Sequence, residues 1–249
     1  HPVHRCQQIV QQTESRICLT SPANTSTAKE IFEIVLEVDA RLDAQVGQHP
    51  SSTPQTTVTT SNAAYILFTS GSTGTPKGFV VEHRSLSTSM HNIYGAEGIN
   101  MDNTARVLQF ASHVFDMTVG DVIGTLIHGA TICVPSEQQR LDNLAGFIRD
   151  LEVNWLHLTS SVARTMVPSD IPSVKVLLQA GEPMGSDILT NWFGHVRLFN
   201  AWGPAEIVFC SSLHEYRSSQ DHPNTIGTNV GGFCWLVDPE APQRLAPVG

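Results

Sequence analysis

The stretch richest in chemical potential is residues 69–78, TSGSTGTPKG, where hydroxyls and glycines precede a lysine. Glycine permits positive φ and close backbone approach. The Ser and Thr hydroxyls and the exposed N–H groups can donate to phosphate oxygens, and Lys77 adds a positive charge. The same residue types would also make a flexible turn between two strands. The loop does not follow the P-loop pattern, which needs lysine directly after glycine and before Ser or Thr; Lys77 follows Pro76 and precedes Gly78. Two more turns interrupt apolar runs: LLQA passes into GEP at residues 181–183, and LFNAW into GPAE at 203–206.

These turns need a scaffold. From residue 63, short apolar runs (AAYILFT, FVVEH, RVLQFAS, ATICVP, WLHLT, VKVLLQAG, VRLFNAWG) alternate with amphipathic stretches. That alternation predicts an α/β fold with largely parallel sheets covered by helices. In open parallel sheets, ligands bind beyond the carboxyl ends of strands, so the three turns are expected to share one site. Upstream, residues 16–20 read as a strand and 28–36 as a helix, together an N-terminal βα fragment (1–50) of the same domain. Residues 51–62, SSTPQTTVTTSN, read as an exposed Ser/Thr-rich connector to the main body, 63–249.

At 249 residues the chain can bury a sizeable core. Its net charge is −9, from 14 Lys and Arg against 23 Asp and Glu, with no basic run, which argues against nucleic acid as a partner. Five cysteines without metal-ligand spacing suggest reduced thiols in a cytoplasmic protein and give no zinc site. No apolar run is long enough for a membrane span, and the N-terminus lacks a secretory pattern. A serine hydrolase is disfavoured because TSGSTG is not the Gly-x-Ser-x-Gly elbow.

TSGSTGTPKG resembles the signature of the adenylate-forming superfamily of peptide synthetase adenylation domains, acyl-CoA synthetases and luciferases. FDMTV at 115–119 resembles the peptide synthetase motif that opens the acyl pocket, and FNAWGPAE at 199–206 its Asn-Ala-Tyr-Gly-Pro-Thr-Glu motif, in the same order. The resemblance covers essentially the whole chain and implies part of the large N-terminal subdomain of that fold. It implies ATP and Mg²⁺ as cofactors, an amino acid or related acid as substrate, and a phosphopantetheine-bearing carrier as acceptor. The implied reaction is attack of a carboxylate on the α-phosphate of ATP, giving acyl-AMP and pyrophosphate. An ionised carboxylate needs no general base, so positioning and charge neutralisation carry the rate.

By the same resemblance, Thr69, Ser70, Gly71, Ser72, Thr73, Gly74 and Lys77 would hold the leaving phosphates, and Glu206 the Mg²⁺. Lys77 and Glu206 are thus the catalytic candidates. Gly181, Glu182, Pro183, Asn200, Ala201, Trp202, Gly203 and Ala205 would line the nucleotide, with Trp202 stacked on adenine where the family usually has Tyr. Asp116 would receive the α-ammonium of an amino acid, and Phe115 would flank the carboxylate. Met117, Gly120, His157, Leu178, Ala180, Ala201, Phe209 and Cys210 would form the side-chain pocket. Gly120 stands where the family often has Trp and is expected to leave empty volume. The pocket then suits a bulky, largely apolar or aromatic side chain, with His157 available to a polar atom. Each residue also has an ordinary reading: Glu206 and Asp116 as first-turn acids, Trp202 and Phe115 as core, His157 as a satisfied structural imidazole.

Two departures stand out. Ala205 lacks the hydroxyl of the family's Thr, and the ribose-binding Asp and mobile C-terminal lysine of full-length members have no counterpart here. The resemblance therefore implies a truncated core, partnered with a missing C-terminal subdomain and poorly active alone. An acyl-CoA or aryl-acid ligase and a noncatalytic nucleotide-binding module are the competing readings, and Asp116 discriminates against the first.

Overall fold

The computed structural model describes residues 2–70, 76–95 and 98–246. It divides into two compact units, residues 1–80 and 81–249. In the first, β1 (Ile17–Thr20) pairs in parallel with β2 (Ile34–Glu37). The helix expected over 28–36 instead ends at Lys29. The β-branched pair Ile34 and Val35 favours the extended backbone, and each residue of β2 finds a partner on β1. Residues 51–62 are exposed and carry no helix or strand. β3 (Ala63–Ser70) and β4 (Pro76–Glu82) form their own two-stranded sheet.

The second unit is built on a seven-stranded sheet. Its strands are β5 (Arg106–Leu108), β6 (Thr131–Cys133), β7 (Trp155–Leu158), β8 (Val176–Gln179), β9 (Arg197–Trp202), β10 (Ser212–Glu215) and β11 (Thr228–Asn229), in the order β11-β10-β9-β8-β7-β5-β6. β6, β5, β7, β8 and β9 run parallel, while β10 and β11 close the edge antiparallel. A further antiparallel pair, β12 (Val237–Asp238) and β13 (Ala241–Leu245), follows.

The central strands β7 and β8 are buried on both faces and read as nearly unbroken apolar runs, as parallel strands between helices should. Side chains alternate between the faces. Leu156, Leu158, Leu177 and Leu198 point to one side, where they pack with Phe147 and Ile148 of helix Leu144–Asp150 and with Ile188, Leu189 and Trp192 of helix Ser186–Trp192. His157, Leu178 and Phe199, side by side in register, point to the other. That second face meets helix His83–Tyr94 and the helical segment 117–127, in which a π turn, Gly120–Gly124, interrupts the α-helix. Among the described residues no helix is long and apolar enough to cross a membrane.

Candidate active site

The carboxyl ends of β8 and β9 open onto a cleft of about 470 Å³. Seven of the residues expected to line a nucleotide border it: Gly181, Glu182, Pro183, Asn200, Ala201, Trp202 and Gly203. Ala180 and Phe209 join them, and so do Asn224 and Ile226, which the sequence did not single out.

Local bonding fixes the turn after β8. The Glu182 carboxylate accepts from the Ser161 N–H at 2.8 Å, and the Ser161 side chain, followed by this N–H, holds its pKa below the ordinary range. Its backbone carbonyl accepts from Gln179 Nε2 at 2.6 Å, and the Pro183 carbonyl accepts from Ser160 Oγ at 3.0 Å. Glu182 thus braces the turn against helix Ser160–Ala163. Asn200 has a similar positioning task. It is almost fully buried, and its Nδ2 donates to the Thr225 carbonyl at 2.9 Å, drawing Asn224 and Ile226 to the rim.

Trp202 ends β9 half exposed, with its ring available to a ligand rather than locked in the core. Gly203 follows because the chain doubles back there: a Cβ would lie 2.7 Å from the Phe209 carbonyl and 2.8 Å from the Ser211 nitrogen. Ala205–Ile207 then form one 3₁₀ turn with Glu206 exposed. Val208 and Phe209 both adopt left-handed backbone, at φ 63° and 58°. Two consecutive non-glycine residues in that region cost energy, and such strain concentrates at functional sites. Here it delivers the Phe209 ring toward the helical segment 117–127.

Asp116 stands at the start of that segment without capping it through its side chain. Burial pushes its carboxyl above the ordinary 3.8; the Met117 N–H offsets this in part, and the charge of Glu206 adds to it. The two acids are therefore close enough to interact. Among the described residues Asp116 has no ion-pair partner. Phe115 is exposed and Met117 half-buried. Leu178, Ala180, Ala201, Phe209 and Cys210 are all buried. Burial raises the Cys210 thiol from 9.0 to about 12, so it acts as an apolar wall and not as a nucleophile.

Two sequence expectations need correction. The His157 ring is fully spoken for: Trp155 Nε1 donates to Nε2 at 2.8 Å, and Nδ1 meets Asp121 Oδ1 at 2.5 Å. Indole N–H can only donate, so Nε2 accepts and the imidazole proton sits on Nδ1, facing the carboxylate. With both nitrogens engaged, the ring has none to offer a substrate. Nor does Gly120 leave empty volume, because a Cβ there would lie 2.5 Å from the Tyr94 hydroxyl and 3.0 Å from the Phe209 ring. The sequence reading missed both Asp121 and Tyr94. The only available signals were an acid inside an apolar helix and a pair of glycines four residues apart.

Thr69 and the backbone of Ser70 end β3, and Lys77 lies in β4, all in the first compact unit. Gly71, Ser72, Thr73 and Gly74 lie outside the described residues.

A cleft beyond the carboxyl ends of parallel strands is where open α/β sheets bind their ligands. A family model described as AMP-binding enzyme matches residues 1–247, and the chain belongs to that family of adenylate-forming ligases. Nonribosomal peptide synthetase atnA of Emericella nidulans is 40% identical over 256 residues, covering all of this chain and 3% of that protein. Nonribosomal peptide synthetase TES of Alternaria alternata is 40% identical over 250 residues, covering all of this chain and 5% of that one. The fold is shared with the N-terminal subdomain of NpsA from Klebsiella oxytoca, solved with 3-hydroxybenzoyl-AMSN: TM-score 0.82 at 20% identity, over all of this chain and 64% of that one. It is shared too with the AMPPNP-bound form of the nonribosomal peptide synthetase FmoA3, TM-score 0.82 at 22% identity, over 99% of this chain and 27% of that one. The chain thus spans only a small part of the curated relatives it matches.

Proposed function

We propose that this chain supplies the ATP- and amino acid-binding core for ATP- and Mg²⁺-dependent activation of an amino acid as its acyl-adenylate. The product would be loaded onto the thiol of a phosphopantetheine carrier in nonribosomal peptide synthesis. The observation that carries this reading is Asp116, a half-buried carboxylate within electrostatic reach of Glu206 and with no cation paired to it among the described residues. An α-ammonium would restore what burial removes, and an acid lacking the amine would leave the charge uncompensated. A tight ammonium–carboxylate pair is also a strong filter for amino acids.

Adenine would stack on Trp202, and the rims at 181–183 and 203 would enclose the nucleotide. Lys77 and residues 69–74 would neutralise the leaving phosphates. A single exposed carboxylate, Glu206, fits Mg²⁺, which binds through one or two carboxylates together with nucleotide phosphates and water. When bound, the ion would draw charge from the phosphates and hold them in line. Phe209, Leu178, Ala180, Ala201 and Cys210 give the side-chain pocket apolar walls suited to a bulky, largely apolar stem.

The test is pyrophosphate exchange in a protein that continues this chain through the remainder of an adenylation domain, across a panel of amino acids and aryl acids. Exchange with an amino acid, lost in Asp116→Ala, supports the reading. Exchange with aryl acids that survives Asp116→Ala points to an aryl-acid or acyl-CoA ligase. Ala205 gives a noncatalytic module its only specific support, and nucleotide binding without exchange across the panel would establish it.

A further inference from the structure

Tyr94 closes the helix His83–Tyr94 and is completely buried, yet among the described residues its hydroxyl has no hydrogen-bond partner. Buried hydroxyls are rarely left unpaired, and leaving one so costs free energy. The ring is held firmly. A Cβ at Gly124 would lie 2.5 Å from its edge and one at Gly120 2.5 Å from its oxygen, so the two glycines form the groove in which the phenol lies. It stacks obliquely on His157 at 5.7 Å and on Phe209 at 6.4 Å between ring centroids. Phe209 lines the cleft and His157 was expected in the side-chain pocket, but neither can bond the hydroxyl: Phe209 has no polar atom, and both His157 nitrogens are engaged. Burial and the nearby Asp121 carboxylate push the phenol well above its ordinary pKa, which keeps it a protonated donor.

We propose that Tyr94 is a specificity-determining residue. It reaches in from the neighbouring helix to occupy the space that Gly120 gives up, forms the floor of the side-chain pocket, and hydrogen-bonds the far end of the substrate side chain. This inference rests on the activation reading and narrows it: the substrate is an amino acid whose side chain has an apolar stem and a hydrogen-bonding tip, such as a hydroxyl or an amide. The apolar walls fit the stem, and the unpaired hydroxyl fits the tip. A site built to bond a polar group discriminates strongly against an isostere lacking it, because the protein group is then left unpaired.

The experiment uses near-isosteric substrate pairs that differ chiefly at the tip, threonine with valine, glutamine with methionine and tyrosine with phenylalanine. Pyrophosphate exchange is measured in the extended protein described above, comparing wild type with Tyr94→Phe. Wild type is expected to prefer the polar member of at least one pair by about tenfold or more in kcat/KM, and Tyr94→Phe to collapse that ratio at least about tenfold. Because the substitution removes one atom and keeps the ring packed in its groove, misfolding is not an alternative outcome; a matching melting profile verifies this. As a second probe, Gly120→Trp combined with Tyr94→Ala moves an aromatic ring back onto helical segment 117–127 without the hydroxyl, and should show the same loss of polar preference. Exchange with an unchanged ratio in Tyr94→Phe overturns this inference alone. Silence of wild type across the whole panel overturns the activation reading, and this inference with it.

Discussion

Cutting the link between Asp121 and His157 should expose how much of the pocket's shape depends on a buried relay that never meets substrate. Asp121 is fully buried; one carboxylate oxygen receives the His157 Nδ1 proton at 2.5 Å and the other the Ala111 N–H at 3.3 Å. Asp121→Ala leaves both donors without an acceptor. At about 1–3 kcal/mol for each of the two orphaned buried donors, the loss should be about 2–6 kcal/mol. His157→Ala strands the Asp121 carboxylate and the Trp155 indole N–H at once, so its cost should be similar. In the double variant the two groups no longer need one another, and only the Ala111 and Trp155 donors remain unpaired. It should therefore be less destabilised than the sum of the single variants by about 2 kcal/mol. Urea denaturation followed by tryptophan emission reads this directly, because Trp155 packs edge-on to His157 at 6.4 Å between ring centroids and reports on the relay itself. Additive losses, or an Asp121→Ala cost under about 1 kcal/mol, would refute the reasoning. So would a His157→Ala variant of native stability with a changed substrate preference, since the imidazole would then be reading substrate after all.

Three further expectations follow from the same geometry. Asp116→Asn should raise the melting temperature at neutral pH while abolishing amino acid binding. Burial raises the folded-state pKa of Asp116 above 3.8, so the folded state ionises it at a cost whenever the pH exceeds the unfolded value, and the variant's advantage should disappear below about pH 3.8. Alkaline stability should fall between pH 9 and 12. Cys210 rises from 9.0 to about 12 and Tyr216 from 10.0 to about 12, both mainly through burial. Their contribution is complete below the unfolded values and is lost as the pH climbs to the folded ones. The Cys210 rise corresponds to about 4 kcal/mol at most, and Cys210→Ala should flatten the decline in a pH series of denaturation midpoints. Gly203→Ala should cost about 1–3 kcal/mol by forcing apart residues 203 and 209–211. It should also weaken nucleotide binding measured by quenching of Trp202 emission, and unaltered affinity would remove Gly203 from the cleft's architecture.

Much of this molecule was legible in its residues. Apolar runs separated by amphipathic stretches implied a parallel sheet, and β5 to β9 follow those runs, most plainly β7 and β8, because a strand buried on both faces has to be largely apolar. The turns at 181–183 and 203–206 stood out because glycine, proline and an acid interrupt apolar runs there, and residues 181–183 and 203 border the cleft. The short N-terminal elements were not: over residues 28–36 helical and extended readings compete locally, and pairing with β1 decided the outcome.

What the sequence alone supplied was an expectation of chemistry: which residues would, by resemblance, cradle phosphate, carry Mg²⁺ or receive an ammonium. Which of them remain free to do so was decided only by the tertiary structure. His157 and Gly120 both looked like openings toward substrate. Trp155, two residues away along the same strand, and Asp121, 36 residues distant, close the first; Tyr94, from a separate helix, fills the second. Hydrogen-bond saturation and filled volume belong to pairs of residues in space, and no reading along one strand or helix can supply the partner that another element brings.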